Sequence, residues 1–149
     1  RLDILNGFTL VIADSGFPAS TADTVAGVRH RWQQDIETYD NLFARIGNTV
    51  ARVHGILRTG TLSEHGDLLT ENHQLLRALG VSTPTLDALV DAAIDAGASG
   101  AKLSGGGGGG NVIAVATPQT VNRITEALKM NGAVGVIVSE IPGINTGQL

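Results

Sequence analysis

The sequence contains no cysteine, so neither a disulfide framework nor a thiolate metal site can contribute to its stability or chemistry. The same absence fits a reducing compartment, and a cytoplasmic location is the expectation that follows. Aromatic residues make up only 3% of the chain, too few for a row of base-stacking platforms. Lys and Arg number 10 against 14 Asp and Glu, and the basic residues form no cluster. A nucleic-acid surface is therefore not expected as the main function. No apolar run approaches the roughly 20 residues that span a bilayer, and no secretory leader is visible, so no membrane partner is expected. There is also no initiator methionine. The one Met is Met130, and the chain opens at Arg1 and runs almost at once into a buried-type strand. That abruptness predicts a piece of a longer polypeptide whose missing part lies upstream.

What is abundant is glycine, 20 in 149 residues, with six in succession from Gly105 to Gly110. Hydrophobic content of 42% suits a globular domain, and the length is enough to bury a core unaided. Phe8 to Ala13 is a continuous apolar run of strand type, ended by the turn residues Asp14, Ser15, Gly16 and Pro18. Ser20 or Thr21 caps a first helix carrying Ala22, Val25, Ala26 and Val28 on its apolar side. A second helix covers Ile36 to Leu57, with Tyr39, Phe43, Ile46, Val50, Val53 and Leu57 recurring every three or four residues. A third starts at a Thr61–Glu64 capping pair and ends at Leu79 before Gly80, with Leu62, Leu68, Leu69, Leu75, Leu76 and Leu79 inward.

Thr83-Pro84 opens a fourth helix closed by Gly97, and Thr117-Pro118 predicts the same cap-plus-proline start for a fifth, ending at Asn131-Gly132. Strands flank the glycines, and a last one covers Val134 to Val138 before a polar tail from Pro142 to Leu149. The two strands around the glycines are joined by a short loop and are expected as antiparallel neighbours. The fold class that follows is α+β: a ferredoxin-like plait with inserted helices, a four-stranded antiparallel sheet and helices segregated to one face.

A polyglycine loop inside a domain is costly, because glycine loses more backbone freedom on folding than any other residue. It makes sense where the backbone must approach something closely, and a phosphate chain held by backbone N–H groups is the obvious candidate. A P-loop is excluded, since it ends in Gly-Lys-Ser/Thr and opens into a helix. Here Asn111 opens into Val-Ile-Ala-Val, a strand. A dinucleotide fingerprint fails for want of the same helix. A flexible linker would lie between domains, not between two strands that must pair.

Gly100-Ala101-Lys102-Leu103-Ser104 followed by Gly105 to Gly110 resembles the C-terminal glycine-rich motif of the GHMP small-molecule kinases, in the form found in mevalonate kinases. Ala13-Asp14-Ser15-Gly16-Phe17-Pro18-Ala19-Ser20-Thr21 is similar to the stretch after the first strand of that family's C-terminal domain. Glu71-Asn72-His73-Gln74-Leu75-Leu76 and Leu79-Gly80-Val81-Ser82 resemble its intervening helix and turn. The three patches stand in the family's order across most of the chain. The resemblance implies a GHMP kinase C-terminal domain over residues 1–149, its partner being its own N-terminal domain. That domain would bring the phosphate loop, the catalytic Asp and a Lys, none of which has a match here. The implied activity is ATP-dependent phosphorylation of mevalonate to 5-phosphomevalonate in isoprenoid precursor synthesis. ATP and Mg²⁺ would be held mainly by the other domain, and the fragment would be inactive alone. Another GHMP kinase, acting on phosphomevalonate or a sugar, is the alternative, as is a free-standing small-molecule-binding regulatory domain.

By this resemblance Ser104, Gly105, Gly106, Gly107 and Gly108 bind nucleotide, while Ser20, Thr21 and Gly106 face the small-molecule alcohol. No catalytic residue and no metal ligand is assigned to this chain. Gly106 stands where the family often has Ala, and Ala19 where animal members often have Arg, which removes a guanidinium contact. Ser20 and Thr21 are also natural cap residues. Asp14 reads as a strand-end turn former, and Lys102 as a solvated residue opposite Leu103. His30, His54, His65 and His73 show no metal spacing, and His73 reads as helix packing. Trp32, Tyr39 and Phe43 read as core or interface residues. A helix face left uncovered by the absent domain could pair two copies, so a homodimer is among the expected assemblies.

Overall fold

Short aliphatic runs bounded by Gly, Asp and Pro form the strands, and caps and positive-φ glycines bound most of the helices. The computed structural model describes residues 4–59 and 62–144. In chain order they form β1 (Phe8–Asp14), α1 (Thr21–Gln34), α2 (Ile36–Thr59), α3 (Leu62–Leu79), α4 (Pro84–Asp95), β2 (Gly100–Ser104), β3 (Asn111–Ala116), α5 (Val121–Met130) and β4 (Gly135–Ile141). The strands make one sheet in the order β2-β3-β1-β4 with every pair antiparallel. This is the expected ferredoxin-like plait, with four helices where the plain motif has one.

Register decides which residues meet the helices. Leu103 pairs with Val112, Ala101 with Ala114, Val11 with Ala114 and Ala13 with Val112. All of these are buried on one face, beneath Leu86, Leu89, Val90 and Ala93 of α4 and Ile124 and Leu128 of α5. The alanines keep the sheet surface low, so both helices can lie close to it.

The helices are not all on that face. Lys102 and Ile113 point the other way, and they share a groove with Thr49, Val50, Val53, Leu68, Leu69 and Asn72 of α2 and α3. On the same side the His65 ring of α3 lies 6.0 Å from that of Phe8. Farther along α3, Leu75 and Leu79 join the main core. α3 therefore runs across the open edge of β2 instead of stacking on one face. The expected segregation holds for α4 and α5 only, because an uncovered edge strand would leave backbone groups unpaired.

Local signals were accurate where hydrogen bonds were local. Ser20 Oγ accepts from the Asp23 amide (3.2 Å) and Thr83 Oγ1 from the Leu86 amide (3.3 Å), capping α1 and α4. Gly80 and Gly97 take φ of 79° and 93° just past α3 and α4. The Thr117-Pro118 start fails. The Thr120 and Val121 amides both donate to the Thr117 carbonyl (3.0 Å each), and Thr120 Oγ1 accepts from the Thr117 amide (3.0 Å), so these residues close a turn before α5. β4 extends to Ile141 because β1 offers partners along its whole length, up to Phe8 opposite Ile141.

Of the apolar side expected for α1, Val28 packs partly buried against the core, but no residue of the helix is fully buried and Val25 is 53% exposed. On α2, Tyr39 and Ile46 of the expected stripe pack against the core, but Phe43 and Val50 are exposed while Leu42 and Thr49 are buried, so the inward stripe is shifted towards those two. The Thr61 cap, the Leu62 side chain and residues 145–149 of the tail lie outside the described residues. Among those described, no helix is long and apolar enough to cross a membrane.

Where α3 crosses β2, the backbones of Gly66 and Gly100 touch: a methyl on Gly66 would overlap Ser99, and one on Gly100 would overlap Gly66. In a free helix Gly→Ala gains about 1 kcal/mol, whereas overpacking a close contact costs roughly 1–3 kcal/mol. The crossing should win. Gly66→Ala is expected to lower unfolding stability by about 1–2 kcal/mol in a denaturant titration, and a stabilised variant would contradict the crossing.

Candidate phosphate-binding site

The hairpin from Ser104 to Asn111 is tied down from three directions. The Gly108 amide donates to the Val81 carbonyl (2.8 Å) in the α3–α4 turn. The Gly110 amide donates to the Phe17 carbonyl (2.9 Å), and the Gly110 carbonyl accepts from the Ser15 amide (2.9 Å), both in the β1–α1 connection. Thr24 of α1 reaches the Gly107 carbonyl at 3.4 Å. Gly107 (φ 81°) has no room for a methyl against Val81, nor does Gly109 against Phe17. Gly106 differs: its φ is not positive, and a methyl there would meet the Thr21 side chain at 3.1 Å.

This tethering exposes one side of the loop. Gly105 and Gly106 are exposed, and the amides of Gly105, Gly106 and Gly107 donate to no acceptor among the described residues. They lie beside the first turn of α1, through the Thr21–Gly106 and Thr24–Gly107 approaches. A helix N-terminus and a row of free amides both favour a negative group. Ser104 and Gly108 flank these donors in sequence, so the five residues expected at a nucleotide do form one patch.

Ser20 and Thr21 stand at its rim with different commitments. The Ser20 hydroxyl is engaged as the α1 cap, whereas the exposed Thr21 hydroxyl has no partner among the described residues and faces Gly106. Beside the loop opens a cavity of about 490 Å³ lined by Val25, Val28, Trp32, Phe43 and Leu76, with Arg29 on its wall. Its volume is within the range of small-molecule sites. Trp32 and Phe43 line this cavity rather than the core. Arg31 braces the floor, donating to Tyr39 Oη and to the Leu79 and Gly80 carbonyls, each at 3.1 Å.

The remaining candidates sort clearly. Asp14 Oδ1 accepts from the Gly16 amide at 2.9 Å, as a turn former does. Lys102 does point away from Leu103, but into the α2–α3 groove, where burial pushes its ammonium below the ordinary lysine value. It is half-buried rather than solvated. No group of three or more His, Asp or Glu side chains converges among the described residues. His73 is the residue whose importance sequence reasoning missed. It is 1% exposed, accepts a hydrogen bond from the Leu103 amide at Nδ1 (3.3 Å), and places Nε2 3.2 Å from Asp87 Oδ1.

The family described as GHMP kinases C terminal matches residues 53–134, and the chain belongs to that family. Within it the similarity is to mevalonate kinases. The mevalonate kinase of Pyrococcus horikoshii is 38% identical over 133 residues, 86% of this chain and 39% of that protein. That of Methanothermobacter thermautotrophicus is 37% identical over 127 residues, 82% of this chain and 40% of that protein. Among solved structures, L. major mevalonate kinase in complex with R-mevalonate superposes with a TM-score of 0.90 at 29% identity, covering 96% of this chain and 45% of that one. Streptococcus pneumoniae phosphomevalonate kinase in complex with phosphomevalonate and AMPPNP gives 0.81 at 20% identity over 95% of this chain and 42% of that one, a likeness of fold alone. The chain spans about two fifths of the length of the curated relatives it matches.

The loop geometry separates two substitutions that composition would treat alike. Gly107→Ala forces a side chain into a left-handed conformation against Val81 and should cost at least about 2 kcal/mol. Gly106→Ala needs only a small shift of Thr21 and should change stability by less than about 1 kcal/mol. Thermal unfolding of the two variants checks the contrast, and equal losses would contradict the tethering described.

Proposed function

We propose that this chain is the C-terminal domain of an ATP-dependent mevalonate kinase, which phosphorylates mevalonate to 5-phosphomevalonate in isoprenoid precursor synthesis. The free amides of Gly105, Gly106 and Gly107 beside the α1 N-terminus carry this reading. In it, Ser104 and Gly105 to Gly108 lie along the phosphates of ATP. Thr21, Ser20 and Gly106 form one wall of the pocket for the acceptor alcohol. Phosphoryl transfer rests mainly on positioning and charge stabilisation, and preorganised backbone donors supply both without having to move.

The groups that take the hydroxyl proton belong to an N-terminal GHMP domain, which is this domain's partner. Mg²⁺ would screen charge on the transferred phosphoryl group. In this reading it enters mainly with the nucleotide and the partner domain.

The test is an ADP-release assay on the protein joined to its N-terminal domain, offered mevalonate, phosphomevalonate and galactose in turn. Turnover with mevalonate is expected. Turnover confined to either other acceptor would move the assignment within the family, and none with any of them would favour a regulatory domain. The 149-residue chain alone is expected to give no turnover. Activity from it by itself would refute the division of labour between the domains.

A further inference from the structure

We propose that His73 is a positioning residue for the glycine loop, clamping the open edge of β2 one residue before the loop's flanking Ser104. Strand β2 has a neighbour on one side only. On its free side the Leu103 amide would be a buried donor without a strand to receive it, and His73 Nδ1 takes that role at 3.3 Å. A nitrogen that accepts from a backbone amide carries no proton, so the imidazole is the neutral Nε2–H tautomer. Its Nε2 lies 3.2 Å from Asp87 Oδ1, at ion-pair distance though not aligned as a well-formed hydrogen bond.

Asp87 extends the clamp to the other side of the loop. It also receives the Ser82 hydroxyl at Oδ1 (2.5 Å) and Arg77 Nε at Oδ2 (3.1 Å). Ser82 follows Val81, whose carbonyl holds the Gly108 amide. Leu103 and Gly108 bracket the free amides of Gly105 to Gly107, and one cluster centred on the buried His73 fixes both brackets. Such a network holds donors in place for an anion better than six glycines could alone. The proposal thus rests on the phosphate-binding reading, although its first readout does not.

The clamp is also sensitive to protons. Burial holds the His73 pKa below its ordinary 6.5, against the opposing pull of Asp87; Arg77 lowers it further and Asp91 raises it. The folded chain therefore binds fewer protons at His73 than the unfolded chain does. The stability involved is fully present above about pH 6.5 and is lost as pH falls below it. Protonation would put a proton on Nδ1, facing the Leu103 amide donor to donor.

The experiment compares wild type, His73→Asn and His73→Gln. Asn places an acceptor near the Nδ1 position, whereas Gln places a donor near Nε2 and leaves the Leu103 amide unpaired. Hydrogen exchange read by NMR, normalised to intrinsic rates, should show Leu103 protection kept in His73→Asn and lowered about tenfold in His73→Gln, the worth of one hydrogen bond. Amide shifts of Gly105 to Gly107 should move with it. Nitrogen shifts of the wild-type ring should report the Nε2–H tautomer at neutral pH, with Leu103 protection falling below pH 6.5 in wild type and not in His73→Asn.

Equal loss in both variants, or an Nδ1–H tautomer, would overturn the proposal. In the mevalonate kinase assay the KM for ATP should rise about tenfold in His73→Gln and stay within about twofold in His73→Asn, on the same hydrogen-bond scale. Absence of turnover in wild type would sink the kinase reading and leave the exchange result standing. A normal exchange pattern with unchanged KM in His73→Gln would sink the clamp alone.

Discussion

Six consecutive glycines have no side chains with which to hold a shape, so the loop between β2 and β3 depends on backbone hydrogen bonds from outside it. Val81, Phe17 and Ser15 supply them. They come from two distant segments, the β1–α1 connection and the α3–α4 turn, and both must be in place before the loop has a form. The loop is the place where the first strand, the first helix and the α3–α4 turn are brought together. Gly107 and Gly109 are buried and leave no room for a methyl, while the amides of Gly105, Gly106 and Gly107 donate to no acceptor among the described residues. Gly107 thus meets a packing demand and leaves its amide free at once.

The second dependence is the edge of the sheet. An edge strand is a liability unless something covers it, and here α3 covers β2 by direct backbone approach at Gly66 and Gly100. A helix that close can also reach the strand with a side chain, and His73 does so one residue before Ser104. Covering the edge and shaping the loop are therefore one arrangement. The helix that closes the sheet also aims the residues that follow it.

Much of this was readable in advance. The strands were legible because each is a compact apolar run, and α1 and α4 because Ser20 and Thr83 cap them through bonds of three residues' reach. The glycine patch was legible because nothing but close approach accounts for such a run. The misreadings share a cause. Thr117-Pro118 had the composition of a helix start, but the Thr117 carbonyl is already engaged in a turn. The α2 stripe was assigned by periodicity, yet which side faces inward depends on where α1 and α3 lie. His73 looked like a packing residue because its partners are 14 and 30 positions away, in Asp87 and Leu103.

The sequence by itself determined the order of elements, the antiparallel pairing about the glycines and the fold class, since these follow from local apolar runs, turn residues and connection lengths. It also marked the loop as the candidate site. Only the tertiary structure decided which amides of the loop are free, which glycines tolerate no methyl, and that a histidine of α3 completes the edge of β2. Those properties belong to contacts between distant segments, and no local pattern encodes a distance between segments that meet only when the chain has folded.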